Sequence, residues 1–182
     1  MGTNPTTECV LFPEFFRRPV LVRFDEPSMT SDGGLLLLKA VDEKLGLTKR
    51  VAQFLPDSRD PSRVAHDVLA MLRQCVYGLA AGYADCNDAA RLGGAPVFKM
   101  LLGRDPIRGA DLATQPTLSR FENSFKVQDL RPLHDVIQNA VVESHRRQRR
   151  GQARVITIDL DTTVDPTHGA QQLALFNGFH GT

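Results

Sequence analysis

The sequence predicts a mainly helical α+β chain, with a helical body over residues 31–150, one strand before it and a β-hairpin after it. Three observations carry this reading. Between residues 31 and 150, apolar residues recur at helical spacing in segments opened by Asp, Ser or Thr and closed by Gly. The run VLVRF at residues 20–24 is β-branched and aromatic, bounded by Pro19 and by Asp25, Glu26 and Pro27. After Gly151 the run VITI at residues 155–158 is β-branched without interruption, as expected for a strand buried on both faces.

Residues 1–30 read as an arm with one strand. Ser31 or Asp32 then caps a first helix through Leu35, Leu38, Val41 and Leu45, and Gly46 stops it. Asp60 followed by Pro61 is a good helix start, and Val68, Leu72, Cys75, Val76 and Leu79 give the clearest helical stripe. Asp85 and Asp88 open a short helix to Leu92, and residues 97–102 form another stub closed by Gly103. Thr114 to Asn123 begins like a capped helix. Asp129 caps a long one, with Leu130, Leu133, Val136, Ile137, Ala140 and Val141 as its stripe up to Gly151. Residues 151–182 carry the strand at 155–158, a turn at 166–169 and a possible second strand at 171–176 before Asn177-Gly178.

A length of 182 residues with 42% apolar composition is enough for one sizeable core plus a smaller unit. Three cysteines at spacings that match no zinc or redox motif point to a reducing compartment, and the cytosol is the expected location. No apolar run is long enough to span a membrane. The formal charge of +1 leaves no bulk field for a polyanion, so any nucleic-acid contact must come from a local patch.

Such a patch is visible. Residues 131–154 hold six arginines against Asp135 and Glu143, whereas residues 155–182 hold no Lys or Arg and three aspartates. Arg146, Arg147, Arg149 and Arg150 read either as phosphate contacts, where bidentate guanidinium groups suit the task, or as a solvated last turn that complements the helix dipole. Asp159 and Asp161 alternate on the expected strand, so both carboxylates would share a face and could approach one hard cation such as Mg²⁺. The competing reading is that Asp before Thr162 and Thr163 makes side-chain turns. Asp32-Gly33-Gly34 lacks the Lys of a phosphate loop and reads as a turn. His66 and Cys75 read as packing residues, and His134 lies one residue off the later helix's apolar stripe, at its border.

Three ordered blocks carry a family resemblance. SDGGLLLL at residues 31–38, with RQCVYGLAAGY at 73–83 and NDAARL at 87–92, resembles the amino-terminal half of bacterial insertion-sequence transposases of the DDE group 1 type. ATQPTLSRFEN at residues 113–123 resembles a signature of that family, and residues 155–178 resemble the first strand and hairpin of its ribonuclease-H-like core. The resemblance implies Mg²⁺-dependent DNA cleavage and strand transfer by three carboxylates. Asp161 best matches the first of them, with Asp159 in reserve. It also implies that the helices grip transposon-end DNA, with Arg120 in the 114–123 segment and the Arg146 to Arg150 cluster as contacts.

Members of that family continue well beyond their first catalytic strand, so the expectation is a truncated or split transposase, inactive alone and completed, if at all, by a second copy or a separate chain. Two alternatives stand beside it. Residues 155–163 also resemble the DxDxT start of haloacid-dehalogenase-like phosphatases, with Asp159 as nucleophile and Asp161 as acid/base. The third reading is a helical DNA-binding module without catalysis.

Overall fold

A computed structural model describes residues 9–11, 13, 19–22, 30–148, 155, 157 and 159. The chain divides into two compact units, Met1–His145 and Arg146–Thr182. Among the described residues the fold is mainly helical, as the periodicity predicts. The arm differs from expectation, because it holds two strands. β1 (Cys9–Leu11) pairs antiparallel with β2 (Val20–Val22), Val10 opposite Leu21. A lone strand would leave its backbone donors and acceptors unpaired along both edges, and Cys9–Leu11 supplies one edge with partners.

The first helix is capped one residue earlier than the sequence suggested. Thr30 Oγ1 accepts from the Asp32 amide at 3.1 Å and opens a 3₁₀ turn, Ser31–Gly34, that runs into α1 (Leu35–Leu45). Gly46 closes α1 at φ 67°, a left-handed conformation that costs glycine little, and sends the chain directly into α2 (Leu47–Ala52). The sequence reading contained no α2.

Asp60 does cap, but only a single 3₁₀ turn, Pro61–Arg63. Extended backbone at Val64 ends that turn. The strong helix, α3 (Val68–Ala80), has its own cap, Asp67, whose carboxylate accepts from the Ala70 amide at 2.7 Å. His66 therefore lies before the helix and not in its first turns. The predicted stripe of α3 holds in part, since Val68, Leu72 and Cys75 pack on the Met71 cluster. Met71, Gln74, Tyr77 and Gly78 are buried, while Val76 and Leu79 are exposed.

The rotation of α3 has a polar cause. Tyr77 donates from its hydroxyl to Asp42 Oδ2 at 2.9 Å, and the same carboxylate accepts from the Thr48 amide at 2.8 Å and the Thr48 hydroxyl at 2.5 Å. Arg73 joins as a third partner, donating to Thr48 Oγ1 at 3.0 Å and approaching Asp42 at 3.4 Å. Gln74 uses both ends of its amide on one residue: Nε2 donates to the Ala113 carbonyl at 2.9 Å, and Oε1 accepts from the Ala113 amide at 3.0 Å. These partners turn Tyr77 and Gln74 inward and leave Val76 and Leu79 outward.

Two apolar clusters flank α3. One gathers Leu35, Leu36, Tyr77, Phe98 and Leu101; the other gathers Leu55, Met71, Ala113, Leu118 and Phe121. Asp85 caps the turn before α4 (Ala89–Leu92), and α5 (Pro96–Leu101) ends near Gly103 at φ 74°. Both match the sequence reading. α6 (Gln115–Glu122) follows the residues that Gln74 holds, with Thr114 at its start.

α7 (Val127–Gln148) begins two residues before Asp129. The Asp129 carboxylate reaches back to the Lys126 amide at 2.8 Å, the third-position half of a capping box and not the cap itself. Only part of the predicted stripe faces inward. Val136 is buried and Leu133 packs on the Met71 cluster, whereas Leu130, Ile137 and Val141 are exposed.

Candidate nucleic-acid interface

The residues between α2 and α3 face α6 and the start of α7 across a groove of about 760 Å³. One wall is folded by its own charges. Arg59 grips Asp57 with two bonds of 2.7 Å and donates to the His66 carbonyl at 2.9 Å, which closes residues 57–66 into a tight loop. The Arg59 guanidinium holds the Asp57 carboxyl below its usual range. Arg63, on the 3₁₀ turn, has a side chain 88% exposed with Asp60 no closer than 3.8 Å.

The other wall is set by α6. Leu118 and Phe121 point into the core, and Thr117 and Arg120, three residues apart, line the groove. The Gln74 clamp on Ala113 fixes where this helix starts. Arg120 is exposed and makes no hydrogen bond or ion pair among the described residues. Lys126 is exposed as well, and its ammonium has no partner among the described residues. Asp129, the second carboxylate of the lining, is engaged by the Lys126 amide.

His66 sits where the loop meets the groove. Its Nδ1 lies 2.9 Å from Arg104 Nη2. A guanidinium offers no acceptor, so Nδ1 must carry the lone pair and Nε2 the proton. Partial burial, then the charges of Arg104 and Arg59, hold the His66 pKa below its ordinary value of 6.5. The ring is a neutral donor beside fixed cations.

Of the residues singled out from the sequence, Arg120 lies in this groove, and Arg146 and Arg147 are exposed in the last turn of α7. Arg149, Arg150 and Asp161 lie outside the described residues. Asp159 is exposed and belongs to no helix or strand, and the same holds for Val155 and Thr157. The expected strand was to be buried on both faces. Burial of that kind needs a packed layer over each face of the strand, which exposed side chains at all three of these described positions do not show.

The donor chemistry of Asp159 and Asp161, hard carboxylate oxygens, suits Mg²⁺ in kind. Among the described residues no three His, Cys, Asp or Glu side chains converge as a metal site, and Asp161 lies outside them.

Sequence reasoning missed Arg59, Arg63, His66 and Lys126 as groove residues. The segment DSRDPSR carried a signal, two arginines four apart among turn formers, which was read only as the start of a helix. Lys126 carried none, because its role depends on a wall 60 residues earlier in the chain.

With this geometry in hand, comparison with known families decides the class. The family model described as transposase DDE domain group 1 matches residues 12–182. The chain belongs to that family. No curated protein and no solved structure matches it. Membership supports a transposase function, and because the match runs through residues 155–163, that segment goes with the transposase and not with the phosphatase resemblance. Among the described residues no helix of this transposase-family chain is long and apolar enough to cross a membrane.

Proposed function

We propose that the helical body, residues 31–150, binds the end DNA of an insertion sequence through its phosphates, and that residues 151–182 begin the catalytic core of DNA cleavage and strand transfer. Arg120 carries this reading: a guanidinium exposed on α6, without a partner among the described residues, inside a segment that resembles a family signature. An uncommitted arginine can release condensed counterions from DNA without first losing an internal ion pair. Arg146, Arg147, Arg149 and Arg150 are the further phosphate contacts in this reading. Asp161, with Asp159 in reserve, is the first catalytic carboxylate. Mg²⁺ held there would polarise the scissile phosphodiester and activate the attacking hydroxyl.

The test is fluorescence anisotropy of the purified chain on a labelled duplex from the ends of the element that encodes it, across a salt series. Affinity should fall linearly with salt on a log–log scale. Arg120→Ala should weaken binding at every salt and reduce the slope by about 1. A chain that binds neither a blunt duplex nor one with an unpaired tail, even at low salt, would falsify the DNA-binding reading.

A further inference from the structure

The shape and lining of the groove carry a narrower conclusion, which rests on the DNA-binding reading. A duplex presents a convex surface, and proteins read it by inserting a helix or strand pair into a groove about 12 Å wide. The surface here is the reverse, a concavity of about 760 Å³, the size that encloses a small ligand or a nucleotide or two. Its apolar lining is accessible at Pro56 and Ala65, which are exposed, and at Val68, which is half-buried, so a base set against them displaces water from hydrocarbon surface. Its walls are cationic on both sides, Arg63 on one and Arg120 with Lys126 on the other. Asp57 is paired with Arg59 and Asp129 accepts from the Lys126 amide, and the lining as a whole holds Arg59, Arg63, Arg120 and Lys126 against these two carboxylates. His66 adds an N–H donor fixed by Arg104.

We propose that this groove holds an unpaired stretch of DNA strand, its phosphates between Arg63 and the Arg120–Lys126 wall and its bases against the apolar surface of Pro56, Ala65 and Val68. Single-strand sites combine these two elements, a cationic track and a surface on which bases rest, and duplex sites do not need the second. Unpaired strand at the element's ends is taken here in addition to the duplex phosphates that Arg120 contacts at the rim.

The experiment compares two labelled probes of one sequence, a blunt duplex and the same duplex with a short unpaired thymidine tail. The readout is the ratio of tailed to blunt affinity within each variant, so that general losses of charge cancel. The unaltered chain should favour the tailed probe about tenfold. The double variant Arg63→Ala/Lys126→Ala, both at exposed positions, should bring the ratio close to one. Thr117→Leu, which narrows the groove without removing charge or adding a ring for a base to stack on, should lower the ratio as well. Blunt binding with no gain from the tail overturns the inference and leaves the DNA-binding reading standing. A gain that survives both variants overturns it too, by placing the tail elsewhere. Failure of both probes to bind overturns the DNA-binding reading, and the inference with it.

Discussion

Around Asp42 each polar group is answered from inside the protein, whereas on the groove walls Arg63, Arg120 and Lys126 point into water. Both regions are polar, and both lie against α3. In the first, one carboxylate gathers Thr48, Tyr77 and Arg73. In the second, the cations are held apart on separate elements: Arg63 has only the exposed Asp60 at 3.8 Å, Asp57 is taken by Arg59, and Asp129 accepts from a backbone amide. Among the described residues no buried side-chain nitrogen or oxygen lacks a hydrogen bond. The contrast separates polar groups that maintain the fold from polar groups left over for something outside it.

The contrast predicts opposite responses to substitution. Asp42→Ala should have the largest effect on stability, because it strands the buried Tyr77 hydroxyl, the Thr48 amide and the Arg73 charge together. The expected loss is about 3 kcal/mol or more in denaturant unfolding. A loss below about 1 kcal/mol would mean that water or a relaxed loop replaces the carboxylate, and the division between the two regions would fail.

Gln74→Ala comes next. It removes both bonds to Ala113 and leaves a buried amide and carbonyl unpaired, at a cost of about 2 kcal/mol. Because Ala113 precedes α6, the amide of Ala113 should exchange with solvent markedly faster, by hydrogen exchange, than in the unaltered chain. Unchanged protection there would show that the start of α6 is held by other contacts.

Both residues also mark what was legible beforehand. Local chemistry was readable: Gly46 and Gly103 end their segments, and Asp85 opens its turn, because such signals act within four residues. The inner face of α3 was legible only in part. Val76 and Leu79 fit the apolar stripe, and Tyr77 and Gln74 did not, yet the inward pair is chosen by Asp42 and Ala113, 35 and 39 residues away. Periodicity cannot register a partner at that distance. The same limit applied to the candidate site. Arg120 was found through its segment, while Arg63 and Lys126 acquire a role only when the fold sets their elements on facing walls.

On the groove side, Arg120→Ala and Arg63→Ala should each leave unfolding free energy within about 0.5 kcal/mol of the parent, since neither side chain holds another element. Denaturant titration beside the anisotropy series checks this. A stability loss above about 1 kcal/mol for Arg120→Ala would move that residue into the structural class and remove the main support for the phosphate-contact reading.

His66 stands between the two regions, and its expected effect is the smallest. Its pKa is lowered in the folded chain, chiefly by burial and then by Arg104 and Arg59. The unfolded chain therefore binds a proton at a higher pH than the folded chain does, and stability rises with pH between the two values. The contribution is complete above the ordinary value of 6.5 and is lost as pH falls from there toward the lowered folded value. A proton on Nδ1 would also set His66 against Arg104, whose guanidinium now donates to that atom. His66→Asn should flatten the pH dependence of unfolding below about pH 6.5. An NMR titration gives the independent check: the His66 resonance should titrate below 6.5 in the free chain and move upward when a tailed DNA probe is added, because phosphates in the groove offset the two arginines. A His66 pKa at or above 6.5 in the free chain would remove the neutral donor from the groove.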